Sequence, residues 1–218
     1  MGSGKAMRST ICELPRPQLR NIQRGTMRYT WRGVLCNKNP FDLALYPMLL
    51  WAQKPKTIIE IGSKEGGSAL WLWQTCKAFH LGTKIVSVDI NQRARIQHPG
   101  ITFLEGDGRD LSRTLPSEMM AGLTRPLLVI EDADHHYQTT LGVLRFMDSH
   151  MRCGEYILVE DGVCDSFGNE AKYDGGPSRA IGEFLAEHPG KYEIDESYCD
   201  FFGYNVTWNP NGYLRRVR

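Results

Sequence analysis

The chain has 218 residues, and its 26 lysines and arginines nearly balance its 25 aspartates and glutamates, giving a formal net charge of +1 at pH 7. A chain of this length can bury a full hydrophobic core in one domain without disulfides or metals to hold it together. The balanced charge argues against a surface built to bind nucleic acid or an anionic membrane.

Six cysteines are scattered along the chain without a C-x-x-C pair. In a chain of this size the pattern favours reduced thiols over a disulfide framework. No apolar run approaches the ~20 residues that span a bilayer, and the N-terminus lacks the pattern of a signal peptide. Residues 1–6 are interpreted as a leader ahead of a native start at Met7. We therefore expect a cytoplasmic protein that binds neither membrane nor nucleic acid.

The first part of the chain, residues 7–50, is predicted to cap a site or to contact another subunit, and a homo-oligomer is left open. Within it, residues 42–51 have the apolar composition of a helix. Pro47 is expected to kink or interrupt this helix, because proline has no N–H to donate. Residues 51–218 are predicted to form a single α/β domain that carries the site.

Five short runs rich in Ile and Val follow, and longer segments with helical spacing separate them. This alternation is typical of βαβ units around a mostly parallel sheet. The runs predict strands at residues 57–61, 84–90, 101–104, 127–130 and 156–159. Residues 191–195 and 213–217 predict an antiparallel hairpin at the end of the chain.

Three helices are predicted between these strands. Residues 68–79 and 139–151 have apolar side chains at helical intervals, and Gly82 and Gly154 are placed to end these two helices. Pro177 predicts the start of the third helix, since proline suits the first helical turn. In such α/β units, ligands bind at the carboxyl ends of the strands.

The turn after the first strand is rich in glycine and reads GSKEGGS over residues 62–68. Glycines at a strand-to-helix turn let the backbone approach a ligand closely and leave helix amides free to bind it. The spacing Gly-x-x-x-Gly-Gly matches neither the dinucleotide fingerprint nor the phosphate loop. Taken alone, the turn fits close helix packing equally well.

Acids at the next strand ends strengthen the case for a nucleoside ligand. Asp89 ends the second strand about 20 residues after the glycines, where a carboxylate holds a ribose diol. Gly106 and Asp107 follow the third strand and suit an adenine edge, while Glu60 is placed to face an ammonium group or to polarise the loop. We predict an adenosine-containing ligand without a pyrophosphate, for which S-adenosylmethionine is the candidate. The predicted cofactor-binding residues are Glu60, Gly62, Ser63, Gly66, Ser68, Asp89, Gly106, Asp107 and Asp132.

The fourth and fifth strands end in two acidic groups, EDADHH at residues 131–136 and EDG at residues 160–162. Neighbouring parallel strands end at the same level, so the two groups are predicted to meet. With no lysine nearby, such carboxylates repel one another unless a cation or shared protons neutralise them, and Mg²⁺ is the economical choice. The histidines leave zinc and iron(II) open, and solvated loops are the alternative interpretation.

With these groups in view, the chain resembles the family named for cephalosporin hydroxylase and rhamnosyl O-methyltransferase, a branch of the class I S-adenosylmethionine-dependent methyltransferases. The stretches that carry the resemblance are residues 29–33 (YTWRG), 59–62 (IEIG), 66–69 (GGSA), 89, 105–107 (EGD), 132–135 (DADH), 159–161 (VED) and 209–214 (NPNGYL). The resemblance implies a Rossmann-like α/β fold, with a mostly parallel seven-stranded sheet, a C-terminal antiparallel hairpin and helices on both faces. It also implies that residues 51–218 are the S-adenosylmethionine-binding methyltransferase domain.

The resemblance further implies the roles of the acidic groups. Asp132, Glu160 and Asp161 would be the metal ligands and His135 the base, whereas Asp134 stays undecided between ligand, supporting partner and cofactor contact. We therefore expect a Mg²⁺-dependent O-methyltransferase that acts on a hydroxyl of a small molecule, such as a sugar or a natural-product scaffold. The alternatives are an iron(II) hydroxylase and a non-catalytic partner protein with the same fold.

Overall fold

The computed structural model describes residues 8–218, and the predicted leader at residues 1–6 lies outside them. The strands of this part of the chain are β1 (Thr30–Trp31), β2 (Val34–Leu35), β3 (Thr57–Ile61), β4 (Lys84–Asp89), β5 (Ile101–Glu105), β6 (Leu127–Glu131), β7 (Tyr156–Val159), β8 (Tyr192–Ile194) and β9 (Tyr213–Arg216). All seven strands predicted from the sequence are present, with ends that shift by at most one residue.

Those seven strands form one mixed sheet in the order β5-β4-β3-β6-β7-β9-β8. The five strands from β5 to β7 run parallel, and β9 pairs antiparallel with both β7 and β8. The predicted sheet with its C-terminal antiparallel hairpin is therefore confirmed. The short hairpin of β1 and β2, which the sequence analysis missed, is a separate sheet.

Helices cover both faces of the large sheet, as predicted. Over residues 8–218 they are α1 (Arg16–Thr26), α2 (Pro40–Gln53), α3 (Gly67–Ala78), α4 (Ser117–Gly122), α5 (Tyr137–Asp148), α6 (Cys164–Phe167), α7 (Gly176–Glu187) and α8 (Glu196–Cys199), with a 3₁₀ turn at Glu170–Tyr173. None of them is long and apolar enough to cross a membrane.

The alternation of side chains along β3 explains why both faces are covered. Ile59 and Ile61 join the core that includes residues of α5 and α7, whereas Ile58 joins the core that includes residues of α2 and α3. Successive side chains of a strand point to opposite faces, so a strand buried on both faces reads as an unbroken apolar run. This is why the parallel strands could be predicted from apolar runs in the sequence.

Helix α2 continues through Pro47, so the predicted interruption is wrong, whereas the predicted kink stays a prediction. The Asn39 side chain caps its start by accepting hydrogen bonds from the amides of Phe41 and Asp42. Buried residues on both sides of Pro47, including Leu45 and Leu49, hold the helix in the core. The predicted division at residue 51 falls inside α2, and the capping or subunit-contact role of residues 7–50 stays a prediction.

The two glycines predicted to end helices lie farther along the chain. Helix α3 ends at Ala78 and helix α5 ends at Asp148. Gly82 and Gly154 lie in the turns that follow, with φ of 58° and 87°. Their conformation is the left-handed one that favours glycine, but it serves the turn before the next strand and not the helix cap.

Candidate active site

The two acidic groups meet where β6 and β7 end. These strands pair in parallel, with Glu131 opposite Val159. The Glu160 amide donates a hydrogen bond of 2.9 Å to the Glu131 carbonyl, so Asp132 and Glu160 leave the sheet side by side. The predicted adjacency of the two groups is confirmed.

A lysine from a distant part of the chain lies inside this acidic cluster. The Lys38 Nζ is 2.6 Å from Asp132 Oδ2 and 2.5 Å from Glu160 Oε1. The Tyr46 hydroxyl donates to the same Glu160 oxygen. The premise that no lysine lies near the carboxylates is therefore wrong. The lysine escaped detection because it belongs to the connection between β2 and α2, far from the cluster in sequence.

The charges of the cluster shift the pKa values of its members. Burial alone would lower the pKa of Lys38, but Asp132, Glu160 and Glu60 outweigh it and hold that pKa well above its usual value. Burial, followed by the neighbouring Asp132, raises the pKa of Glu160 well above its usual range despite Lys38. Burial also raises the pKa of Asp161, although His135 lowers it. The acids therefore remain short of positive charge even with Lys38 among them.

His135 and Asp161 lie on the more open side of the cluster. The His135 Nδ1 is 3.4 Å from Asp161 Oδ2, and the two side chains are 21% and 23% exposed. One ligand atom from each of Asp132, His135 and Asp161 lies within 4.8 Å of the others. Carboxylate oxygens in this arrangement fit a hard divalent cation such as Mg²⁺. The predicted ligand Glu160 does not belong to this group of three, and its Oε1 accepts hydrogen bonds from Lys38 and Tyr46 instead.

The neighbouring Asp134 and His136 are exposed. The Asp134 carboxylate accepts a hydrogen bond of 3.0 Å from the His136 amide. The rings of His135 and His136 both meet Tyr173 edge-on, with centroid distances of 5.8 and 5.5 Å. Tyr173 comes from the 3₁₀ turn after β7, so an aromatic ring stands beside the histidines at the edge of the site.

A cavity of about 190 Å³ lies beside the cluster, at the ends of β3, β4, β5 and β6. Five of the nine predicted cofactor-binding residues line it, namely Gly62, Asp89, Gly106, Asp107 and Asp132. Lining residues outside those nine include Lys64, Gly108, Thr139 and Asp134, for which a cofactor contact is one of the three predicted roles. Since Asp132 belongs to both the cavity and the acidic cluster, the two sites share a wall.

The other four predicted cofactor-binding residues, Glu60, Ser63, Gly66 and Ser68, are not among those that line this cavity. Glu60 is fully buried and accepts hydrogen bonds from the hydroxyls of Ser68 and Ser87. The Ser63 hydroxyl lies 2.6 Å from that of Ser87. Glu60 thus joins the glycine-rich loop and α3 to β4, and its two predicted roles, facing an ammonium group and polarising the loop, stay predictions.

Asp89 also organises the loop on which the cavity depends. Its Oδ2 accepts a hydrogen bond of 2.8 Å from the Lys64 amide, and its Oδ1 accepts one of 2.9 Å from the Asn91 amide. Asp107, at the far side of the cavity, pairs with Arg109 at 2.6 Å. Both predicted carboxylates therefore face the cavity from positions that backbone and side-chain donors fix.

Gly62 brings two strand ends unusually close together. A Cβ added to this residue, whose φ is 110°, would lie 1.9 Å from the Asp132 carbonyl oxygen. The Asp132 amide donates to the carbonyl of Ile61 at 2.8 Å, so β3 and β6 stay in register beyond their formal ends. The position of Asp132 therefore depends on glycine at residue 62.

Comparisons with known proteins cover nearly the whole chain. The family described as Rhamnosyl O-methyltransferase/CmcI matches residues 23–217. A rhamnosyl O-methyltransferase of Mycobacterium leprae is 30% identical over 201 residues, covering 86% of this chain and 82% of that protein. One of Mycobacterium tuberculosis is 27% identical, covering 86% of this chain and 78% of its own length. A solved structure of CmcI, described as holding Mg and SAM, has a TM-score of 0.71 and 26% identity, covering 88% of this chain and 78% of that one.

Proposed function

The chain belongs to the rhamnosyl O-methyltransferase/CmcI family and is an S-adenosylmethionine-dependent O-methyltransferase, and we propose that it methylates a sugar hydroxyl in a metal-dependent reaction. A hydroxyl on another natural-product scaffold falls within the same proposal. The observation that carries it is the position of Asp132, which lines the cavity and also belongs to the cluster with His135 and Asp161. A methyl donor in the cavity and an acceptor at the cluster would meet at this residue.

The acidic cluster is the proposed metal site, with Asp132, Glu160 and Asp161 as ligands. When bound there, a divalent metal supplies positive charge that holds the acceptor oxygen and lowers the pKa of its hydroxyl. Burial is the largest cause of the raised pKa values of Glu160 and Asp161. These shifts support the assignment, because a bound cation would reduce the free-energy cost of ionising both carboxyl groups.

His135 is the proposed base, and Asp161 orients it. The Nδ1 of the imidazole faces Asp161 Oδ2 at 3.4 Å, and with the ring proton on that side Nε2 would be left to accept the proton of the acceptor hydroxyl. Asp134 lines the cavity and is therefore proposed to contact the cofactor and not the metal. The cofactor supplies the methyl group, which the acceptor oxygen reaches when the two are held in line.

The remaining cavity residues are proposed to hold S-adenosylmethionine. Asp89 would accept the ribose hydroxyls, and Gly106 and Asp107 would lie along the adenine. Glu60 and Ser68 would act indirectly by fixing the glycine-rich loop. The Tyr173 ring beside His135 and His136 supports a sugar acceptor, because a ring face offers an apolar surface to a hexose.

The test is methyl transfer from labelled S-adenosylmethionine to a panel of rhamnosides and other glycosides, with and without a chelator. Transfer to a glycoside hydroxyl that stops with the chelator and returns with Mg²⁺ is the expected result. Undiminished turnover in chelator would overturn the metal requirement, and transfer to non-sugar acceptors alone would overturn the assignment of a sugar as the acceptor.

Two other outcomes would favour the alternatives. Oxygen uptake without methyl transfer would favour the iron(II) hydroxylase, and calorimetry that detects no cofactor binding would favour the non-catalytic partner.

A further inference from the structure

Lys38 occupies the position of a bridging cation in the acidic cluster. Its Nζ lies 2.6 Å from Asp132 Oδ2 and 2.5 Å from Glu160 Oε1, and its side chain is 2% exposed. We propose that the Lys38 ammonium and the divalent metal compete for this pair of carboxylate oxygens, so that metal binding displaces Lys38. The inference rests on the metal-dependent function proposed above, and it names the residue that sets the affinity for the metal.

Distances make simultaneous binding to the same oxygens unfavourable. A Mg²⁺ ion lies about 2.0–2.1 Å from a carboxylate oxygen. An ion bonded to Asp132 Oδ2 and Glu160 Oε1 would therefore sit close to the Lys38 Nζ, with no room for water between the two cations. Because the cluster is buried, their repulsion would be weakly screened. One cation must move when the other binds.

Displacement of Lys38 would move its side chain and not its backbone. The Asn39 cap fixes the backbone next to Lys38, since Asn39 accepts from two amides of α2. The four-carbon stem of lysine is flexible, and the ammonium already lies 5.9 Å from the centre of the Tyr46 ring. A displaced ammonium could rest over that ring face, where cation–π attraction offsets part of the lost contact with the carboxylates.

The buried carboxylate of Glu160 requires a compensating positive charge from within the chain. This residue is 4% exposed, and its Oε1 accepts hydrogen bonds from both Lys38 and Tyr46. An unpaired buried carboxylate is costly, because a charge removed from water must be compensated. Lys38 supplies that compensation within the chain itself. The same contact is lost when the metal binds, so the protein should bind the metal more weakly than the ligands alone would.

Competition is tested by measuring Mn²⁺ and Mg²⁺ binding directly, with calorimetry and with electron paramagnetic resonance of Mn²⁺. Lys38→Met should bind Mn²⁺ about tenfold more tightly than the wild type, a change of about 1.4 kcal/mol. Lys77→Met is the matched control, because it removes the same charge from an exposed residue of α3, and it should bind like the wild type. Lys38→Met affinity that equals or falls below the wild-type value would overturn the proposal.

Loss of Lys38 also leaves the carboxylates uncompensated, so Lys38→Met is expected to be less stable and to gain more in Tm from Mn²⁺ than the wild type. If Lys38→Met does not fold, Lys38→Arg decides the matter. Its guanidinium keeps the charge and binds carboxylates more firmly, so Mn²⁺ should bind more weakly than in the wild type. An unchanged affinity in Lys38→Arg would then refute competition.

The same measurements separate this inference from the proposed function. If the wild type binds Mn²⁺ and needs a metal for turnover, and Lys38→Met binds no more tightly, competition is refuted and the function stands. If the wild type keeps its activity in the presence of chelator while Lys38→Met alone binds Mn²⁺ tightly, the proposed metal requirement is refuted and the proposed competition is supported. If neither protein binds Mn²⁺, both fall.

Discussion

The Nδ1 of His135 lies 3.4 Å from the Oδ2 of Asp161, and both residues have a left-handed backbone, with φ of 62° and 59°. Residues other than glycine seldom adopt this conformation, and each instance costs of order 1 kcal/mol. The two strand ends thus turn the carboxylate and the imidazole toward each other at a cost in backbone energy. Such strain persists where the surrounding structure holds it, commonly at functional sites.

Asp161→Asn should weaken metal binding while leaving the fold intact. Asparagine tolerates a left-handed backbone well, so the substitution removes the charge without changing the turn. The Kd for Mn²⁺ should rise by at least about tenfold, measured by calorimetry. Asp174→Asn is the control, because Asp174 also has a positive φ, 53°, but pairs with Arg179 at the surface. Equal metal affinity in the two variants would contradict the assignment of Asp161.

His135→Gln should lower kcat by about 10²–10⁴-fold, because the variant has no base for the acceptor hydroxyl. Binding of S-adenosylhomocysteine, measured by calorimetry, should stay within twofold of the wild-type value. His136→Gln is the control, since His136 is exposed and should keep nearly full activity. If His135→Gln instead loses metal affinity along with its activity, His135 is a metal ligand and not the base.

Gly62→Ala should destabilise the protein by about 3 kcal/mol or prevent folding, because the new Cβ would overlap the Asp132 carbonyl and overpacking forces the backbone to shift. Urea unfolding gives the free energy of unfolding. Gly25→Ala is the control, since nothing lies within 4 Å of its added Cβ and alanine favours the helix α1. Equal stability of the two variants would show that the strand ends separate freely at residue 62.

Asp148→Asn should lower the free energy of unfolding by about 1–2 kcal/mol at pH 7. Its carboxylate lies 2.7 Å from the Lys191 Nζ and 3.6 Å from Arg216 Nη1, and so ties α5 to the C-terminal hairpin. Burial alone would raise the pKa of Asp148, but Lys191, Tyr192 and His188 outweigh burial and hold it below its usual value.

The sign of that shift fixes the pH dependence. A carboxylate with a lowered folded pKa stabilises the protein above its unfolded pKa, about 3.9, and loses this contribution as the pH falls through the folded value. The difference between wild type and Asp148→Asn in urea unfolding should therefore be constant from pH 7 to about 5 and shrink below about 4. Asp110→Asn, a change of the same charge at an exposed residue, should show no such dependence. A difference that grows on acidification would contradict the argument.

The strands and the meeting of the acidic groups could be predicted from the sequence because both depend on local patterns. A parallel strand buried on both faces is largely apolar, as β3 is apart from Thr57 and Glu60, and residues that follow neighbouring parallel strands lie at one edge of the sheet. Lys38 could not be placed, because its contacts with Asp132 and Glu160 come from tertiary packing across some hundred residues of sequence. Glu60 lies within the end of β3, as predicted, but the sequence does not reveal that the Ser68 and Ser87 hydroxyls donate hydrogen bonds to it.

Some of the predicted cofactor-binding residues line the cavity and others do not. Asp89 and Asp107 line the cavity because they follow strand ends, which the sequence reveals. Gly66 does not line it, since it immediately precedes α3 and lies against the Phe103 ring, where an added Cβ would come within 2.9 Å. A glycine in a strand-to-helix turn can serve packing or ligand approach, and sequence spacing does not distinguish the two.

The connection that carries Lys38 also determines where the protein can be shortened. Asp42, four residues later, accepts hydrogen bonds from the Thr207 hydroxyl and the Trp208 amide, so the beginning and the end of the chain are joined beside the cluster. A fragment that started at residue 51 would keep every strand of the large sheet, yet Glu160 would lose both Lys38 and Tyr46. The smallest unit worth expressing for structural or enzymatic work therefore begins ahead of Lys38, even though the sheet itself begins at β3.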